Sequence, residues 1–195
     1  MGFMQSVVLG SCSFILGMVF VCQVVDIPLL YIPVTSQALE NAYTFYGIWF
    51  ESPGAVKALF HVALVLPMLG LIVKLHKWTE SAVFFDGTGL VLHLATIILY
   101  LTVHIPSLRT FLPDSTTTTT FSILPPPPPR ETPPTEDERI QAVRVLAAGN
   151  ALVGVLTLGV ILMQLGQEWA KRTAENEEKK LNQRFTVGME RKKDL

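Results

Sequence analysis

The chain has 195 residues, 50% of them hydrophobic and only 16% charged, with a formal net charge of −1 and a mean hydropathy of +0.43. That balance excludes a water-soluble globular domain and offers no basic surface for nucleic acid. It is the composition of an integral membrane protein. Cys12 and Cys22 both fall in the first apolar stretch, so they supply neither a Cys-x-x-Cys redox pair nor a disulfide between loops.

A transmembrane helix needs about 20 mostly apolar residues, because about 1.5 Å of rise per residue must cover about 30 Å of hydrocarbon. Four windows qualify. The first, about 4–25, carries no charge. It lacks the basic start and the Ala-x-Ala site of a cleaved signal, and its apolar run is longer than such a signal's, so it reads as a retained span. Ser6, Gly10, Ser13 and Gly17 recur along it at helical spacing. A stripe of small residues permits close helix approach in lipid, where association rests on van der Waals packing and interhelical hydrogen bonds. The loop 26–54 has no Lys or Arg and is rich in aromatics, among them Tyr31, Tyr43, Tyr46 and Trp49. This predicts a belt against the headgroups, or a contact surface for another membrane protein.

The second window, about 55–73, has Lys57 near one edge, and Pro67 and Gly70 inside it predict a kinked or adaptable helix. The third, about 82–105, has Asp86 near its start, and the fourth, about 141–165, has Arg144 near its start. Each charge lies near an end, where its side chain can reach the interface; at a helix centre it would cost about 2.5–3.5 kcal/mol. The loop 106–140 carries a threonine run, Thr116 to Thr120, and a proline run, Pro125 to Pro129. Such a composition cannot build a core and predicts a disordered spacer of coil and polyproline II. In the fourth span Ala147, Ala151 and Gly154 form a shorter small-residue stripe with Asn150 beside it.

The tail 167–195 spaces Glu168 from Arg172 and Glu175 from Lys179 by one helical turn, which predicts a solvated helical extension that frays before the last residues. It closes on Lys192-Lys193-Asp194-Leu195. Two lysines at this register from a cytosolic carboxylate are the dilysine pattern that returns membrane proteins to the endoplasmic reticulum, an address rather than a catalyst. Lys and Arg counts orient the bundle. Lys74, Lys77, Lys171, Arg172, Lys179, Lys180, Arg184, Arg191, Lys192 and Lys193 fall on one side; Lys57, Arg109, Arg130, Arg139 and Arg144 fall on the other. The expected fold is an all-α integral membrane protein of four transmembrane helices with both termini cytosolic. It comprises a membrane domain, 1–166, with lumenal loops 26–54 and 106–140, and a cytosolic tail, 167–195.

Polar groups inside the spans are the first place to seek chemistry. They are few: His61, His93 and Asn150, with Asp86 and Gln164 near span ends. No two carboxylates pair within a span, no Ser, His and Asp set suggests a nucleophile, and no histidine spacing suggests a metal. No catalytic, cofactor or metal residue is assigned, and the chain is expected not to be an enzyme. So few midplane groups also argue against a transporter. The competing reading is a four-span sterol or lipid isomerase with His61, His93 and Asp86 in one pocket. A claudin-like adhesion protein, suggested by Gly47-Ile48-Trp49, lacks the loop cysteines that family needs.

Several segments taken together carry a resemblance. They are Phe14 to Phe20 (FILGMVF) with Asp26 to Tyr31 (DIPLLY); Phe85-Asp86-Gly87 leading Leu90 to His93 (LVLH); and Val145 to Asn150 (VLAAGN) running into Leu162 to Gln167 (LMQLGQ). In this order and combination the chain resembles the fungal Shr family of endoplasmic reticulum membrane chaperones, which package amino-acid permeases for export. The Thr/Pro insert departs from the compact second loop of that family. The resemblance implies a non-enzymatic role: shielding the spans of newly inserted permeases and presenting them, through the cytosolic tail, to the outbound vesicle coat. Lys192 and Lys193 would then return escaped chaperone. Ser6, Gly10, Ser13 and Gly17 on the first span, and Ala147, Asn150, Ala151 and Gly154 on the fourth, are the candidate helix contacts.

Overall fold

The computed structural model describes residues 2–76, 78–112 and 132–193, with 185–193 described by backbone alone. The threonine run and the proline run expected to be disordered lie outside the described residues, as do Asp194 and Leu195.

In lipid, a chain must satisfy every backbone polar group internally, and an uncharged apolar run does so as a helix. Four helices are long and apolar enough to cross a membrane. We label them α1 (Phe3–Leu30), α3 (Gly54–Leu75), α4 (Ala82–Phe111) and α5 (Glu136–Lys193), with a shorter α2 (Ser36–Phe50) between the first two. All four run past their apolar windows at one end or both. Helix α5 has 58 residues, about 87 Å at the ordinary rise, so it extends well beyond any bilayer. Thr135 starts it with a capping box: its hydroxyl accepts from the Glu138 amide at 3.3 Å, and its own amide donates to the Glu138 carboxylate at 2.8 Å.

Each spanning helix neighbours two others. Helix α1 packs on α3 and α5, α4 packs on α5, and α3 closes the ring against the first half of α4. Four crossings leave one end of the bundle with the chain termini and the other with α2. At the termini end α1 and α3 approach closely at Gly70, where an added Cβ would stand 2.7 Å from Val8 Cγ2. Trp78 makes the tight turn from α3 to α4 with φ 48°, an unusual conformation for a side chain of this size.

The aromatic loop is not a belt throughout. Thr35 caps α2 by accepting from the Ala38 amide at 3.2 Å, and α2 buries Ala42 and Tyr46. Tyr43 stacks on Phe111 with centroids 5.5 Å apart. These side chains join Leu29, Val143, Leu146 and Ala147 in the largest core cluster, so burial of aromatic area draws part of the segment onto the bundle. Tyr31 stays exposed.

Helix α4 contains two π-helical stretches, Ala82–Gly87 and Tyr100–His104. Such turns are rare and recur at functional sites, because the extra residue re-aims the side chains around it. Here they carry Asp86 and His104.

Candidate functional site

A polar cluster ties the four spanning helices together at the termini end. The Lys74 ammonium lies 2.7 Å from Asp86 Oδ1 and also donates to Gln164 Oε1 and Gln167 Oε1. Both glutamines donate back to Asp86, Gln164 to Oδ1 at 3.0 Å and Gln167 to Oδ2 at 2.7 Å. Gln5 completes the set from α1 by donating to the Gln164 carbonyl at 2.9 Å. Asp86 and Gln164 are buried. A buried charge is tolerable when paired and fully hydrogen-bonded, and this carboxylate has a cation and two amides on it.

A second cluster sits at the α2 end. Tyr46 donates to Asp26 Oδ1 at 2.5 Å. Asn150 donates to Asp26 Oδ2 and to the Tyr46 oxygen, each at 2.8 Å. His104 sets Nε2 3.0 Å from Asn150 Oδ1 and Nδ1 3.1 Å from the Leu99 carbonyl oxygen. Burial, the Asp26 carboxylate and Cys22 hold the Tyr46 phenol far above its ordinary range, so it remains a donor. The π turn brings His104 into this set, and Gly149 makes room for it: a Cβ there would meet His104 Cε1 at 2.9 Å.

Between the clusters, on the α2 side, the ring is open. Among the described residues no α-carbon of α3 comes within 8 Å of the Tyr100–Phe111 part of α4. A cleft of about 490 Å³ enters there and reaches α1 and α5 behind it. Only side chains cross the gap. The Tyr100 hydroxyl lies 3.1 Å from His61 Nε2, and the Tyr100 ring packs on Phe60 at 5.4 Å. His61 Nδ1 faces the Lys57 carbonyl oxygen at 2.6 Å.

The residues singled out from sequence separate into distinct places. Ser6, Gly10, Ser13 and Gly17 are exposed on α1, and nothing stands within 4 Å of a Cβ added at Gly10 or Gly17. The other stripe faces inward: Ala147 and Asn150 are buried, Ala151 is half-buried, and a Cβ on Gly154 would meet Val19 Cγ1 at 3.3 Å. His61, His93 and Asp86 do not converge. His93 sets Nε2 2.7 Å from the Leu64 carbonyl oxygen in mid-bundle, His61 lies in the cleft wall, and Asp86 is in the ion pair. Lys192 and Lys193 lie in the backbone of α5, and their side chains are outside the described residues. Sequence reading missed the partners of Asp86 and of Asn150, although a Lys and an Asp flanking one short turn, Lys74 and Asp86, are a legible hint of pairing.

A model of the family described as ER membrane protein SH3, the SHR3 chaperone family, matches residues 1–194. The chain belongs to this family. SHR3-family membership makes it a multi-pass protein of the endoplasmic reticulum membrane, consistent with its four spanning helices. Among curated proteins it is similar to the secretory component protein psh3 of Schizosaccharomyces pombe, 28% identical over 161 residues, which cover 82% of this chain and 66% of that protein. The chain thus spans just under two thirds of the length of this relative. No solved structure matches it. The SHR3 matched region takes in both polar clusters, the cleft and both small-residue stripes.

Proposed function

We propose that this chain is a membrane chaperone of the endoplasmic reticulum. It assists the folding of newly inserted multi-span proteins, amino-acid permeases in particular, and their packaging into vesicles that leave for the Golgi. The observation that carries this reading is the outward face of α1. Ser6, Gly10, Ser13 and Gly17 are exposed on a bundle whose internal packing uses the other stripe and the two polar clusters. A bare small-residue face lets a partner's span approach closely without a strong hydrogen bond to hold it. That suits a chaperone, which must release a client once the client's own packing forms. Both termini lie in the cytosol in this reading, the charged end of α5 meets vesicle coat components, and Lys192 with Lys193 returns escaped protein. No catalytic or cofactor role is assigned.

The test is to delete the gene and image several tagged amino-acid permeases beside an unrelated multi-span transporter. Retention of the permeases in the endoplasmic reticulum while the control reaches the surface is the expected result. Normal traffic of all of them removes the reading, and lipid analysis of the deletion strain then tests the isomerase alternative.

A further inference from the structure

The cleft on the α2 side has a length, a volume and one unmet hydrogen bond that together describe a ligand. Its deep end is the Ile15, Leu64 and Val153 cluster, where α1, α3 and α5 close on one another. Along α4 its lining runs from Thr96 to Arg109, about 20 Å of helix. It holds about 490 Å³, within the range of about 300–1,000 Å³ usual for small-molecule sites. A partner's helix about 10 Å across would take about 1,500 Å³ over that length, so the cleft is too small for one.

The hydrogen-bonding groups that line it are largely committed elsewhere. His61 bonds Tyr100 and the Lys57 carbonyl, and Tyr46, Asn150 and His104 belong to the Asp26 cluster. The Thr96 hydroxyl donates to the Leu92 carbonyl. Arg109 already has a partner within the chain, and the Lys57 ammonium lies over the Phe50 ring, 5.6 Å from its centroid. The exception is Ser52, in the turn from α2 to α3. Among the described residues, its hydroxyl is the one buried side-chain polar atom on the lining without a hydrogen-bond partner. Leaving a buried hydroxyl unpaired is costly, so the site asks its ligand for a single polar group. A phosphate, or a pair of esters, would bring more acceptors into the cleft than this one hydroxyl can satisfy. Phe14, Trp49, Phe50 and Phe60 also line it, and flat, stiff side chains pack well on a flat, stiff ligand.

We propose that this cleft binds one sterol, without turnover. The single sterol hydroxyl bonds Ser52 at the α2 end, and the fused rings and tail run between α3 and α4 toward Leu64 and Thr96. A sterol in a bilayer keeps its hydroxyl at the interface and its body in hydrocarbon. Ser52, just before the α3 span, and the apolar deep end are placed in that order. The proposal needs only membrane residence, so it stands or falls independently of the permease reading.

The test uses the full chain in phosphatidylcholine nanodiscs containing a sterol with a photoreactive diazirine on its ring system, the adducts being mapped by peptide mass spectrometry. Labelling at Met18 and Leu64 in the cleft is expected about tenfold above that at the exposed Ile98 and Val155. Excess unlabelled sterol should remove most of the cleft signal and leave the outer signal unchanged. Ser52→Ala deletes an unpaired group, so it should leave the stability of the sterol-free chain intact while lowering cleft labelling about fivefold. A diazirine analogue lacking the sterol hydroxyl should label the variant and the parent chain alike. Ala58→Trp, which fills the cleft, should abolish the cleft signal. Equal labelling inside and out overturns the proposal. So does failure of unlabelled sterol to compete, indifference to Ser52→Ala, equal labelling of the cleft by a diazirine fatty alcohol or phospholipid, or crosslinking of Met18 and Leu64 to a permease span in place of sterol. Where a variant fails to fold, native mass spectrometry of the unmodified chain taken from sterol-containing nanodiscs still decides: one retained sterol per chain is expected, and none refutes it.

Discussion

Asp86 and Lys74 show how a single ion pair sets the architecture at the termini end. Taking a carboxylate out of water costs several kcal/mol, and Asp86 recovers this through one ammonium and two amides. Removing the acid strands Lys74 among amide oxygens. Asp86→Ala should therefore cost about 3–5 kcal/mol. Gln5→Leu, which loses one interhelical bond, should cost nearer 0.6 kcal/mol, roughly the average for such bonds in membranes. Unfolding titrations in mixed micelles measure both, and equal losses would show that the ion pair is not what ties the helices. The double replacement Lys74→Met with Asp86→Leu should recover most of the loss, since apolar side chains of similar volume often substitute for a buried pair at little cost. At the other end, Tyr46→Phe leaves Asp26 Oδ1 without its donor and should cost about 1–3 kcal/mol.

At the scale of the helix, glycine has opposite meanings on two faces of one bundle. Gly70 is a contact: Val8, fully buried and stiff at its branched Cβ, stands where a side chain would go. Gly70→Val should overpack the α1–α3 seam and cost about 1–3 kcal/mol. Gly10 and Gly17 face open space, so Gly10→Leu or Gly17→Leu should leave thermal stability intact and lower crosslinking of α1 to newly made permeases. Loss of stability without loss of crosslinking would assign that stripe to the bundle instead. The ion pairs along the exposed part of α5, Glu168 with Arg172 at 2.8 Å and Glu175 with Lys171 at 3.9 Å, are screened by solvent. They shape a solvated helix without anchoring it, and Glu175 takes the partner one turn back rather than Lys179, one turn ahead.

For the whole molecule, the bundle is fastened at both ends and open along one side. The fastenings use side chains from α1, α3, α4 and α5 at one end, and from α1, α2, α4 and α5 at the other. Helix α3 is absent from the second set, and that is where the ring opens. Residence in the endoplasmic reticulum is a property of the chain as a whole. Lys192→Ser with Lys193→Ser, in a strain carrying an internal tag, should let the protein appear in later compartments by fluorescence microscopy. Unchanged residence would remove the retrieval role of that pair.

Hydropathy alone determined the four spans, their order and the all-helical class, because lipid leaves an apolar chain no other way to satisfy its backbone. The small-residue stripes were equally legible, since Ser6, Gly10, Ser13 and Gly17 declare a shared face by spacing. Which stripe turns inward was not legible: both have the same pattern, and only the packing of α1 against α3 and α5 decides it. Tertiary structure alone also decided that Asn150 meets Asp26, 124 positions away, and that part of the aromatic segment folds onto the bundle as α2. The cleft belongs to the same class. It opens where α3 contacts the Ala82–Leu99 part of α4 but not the Tyr100–Phe111 part, a long-range arrangement with no local signature in sequence.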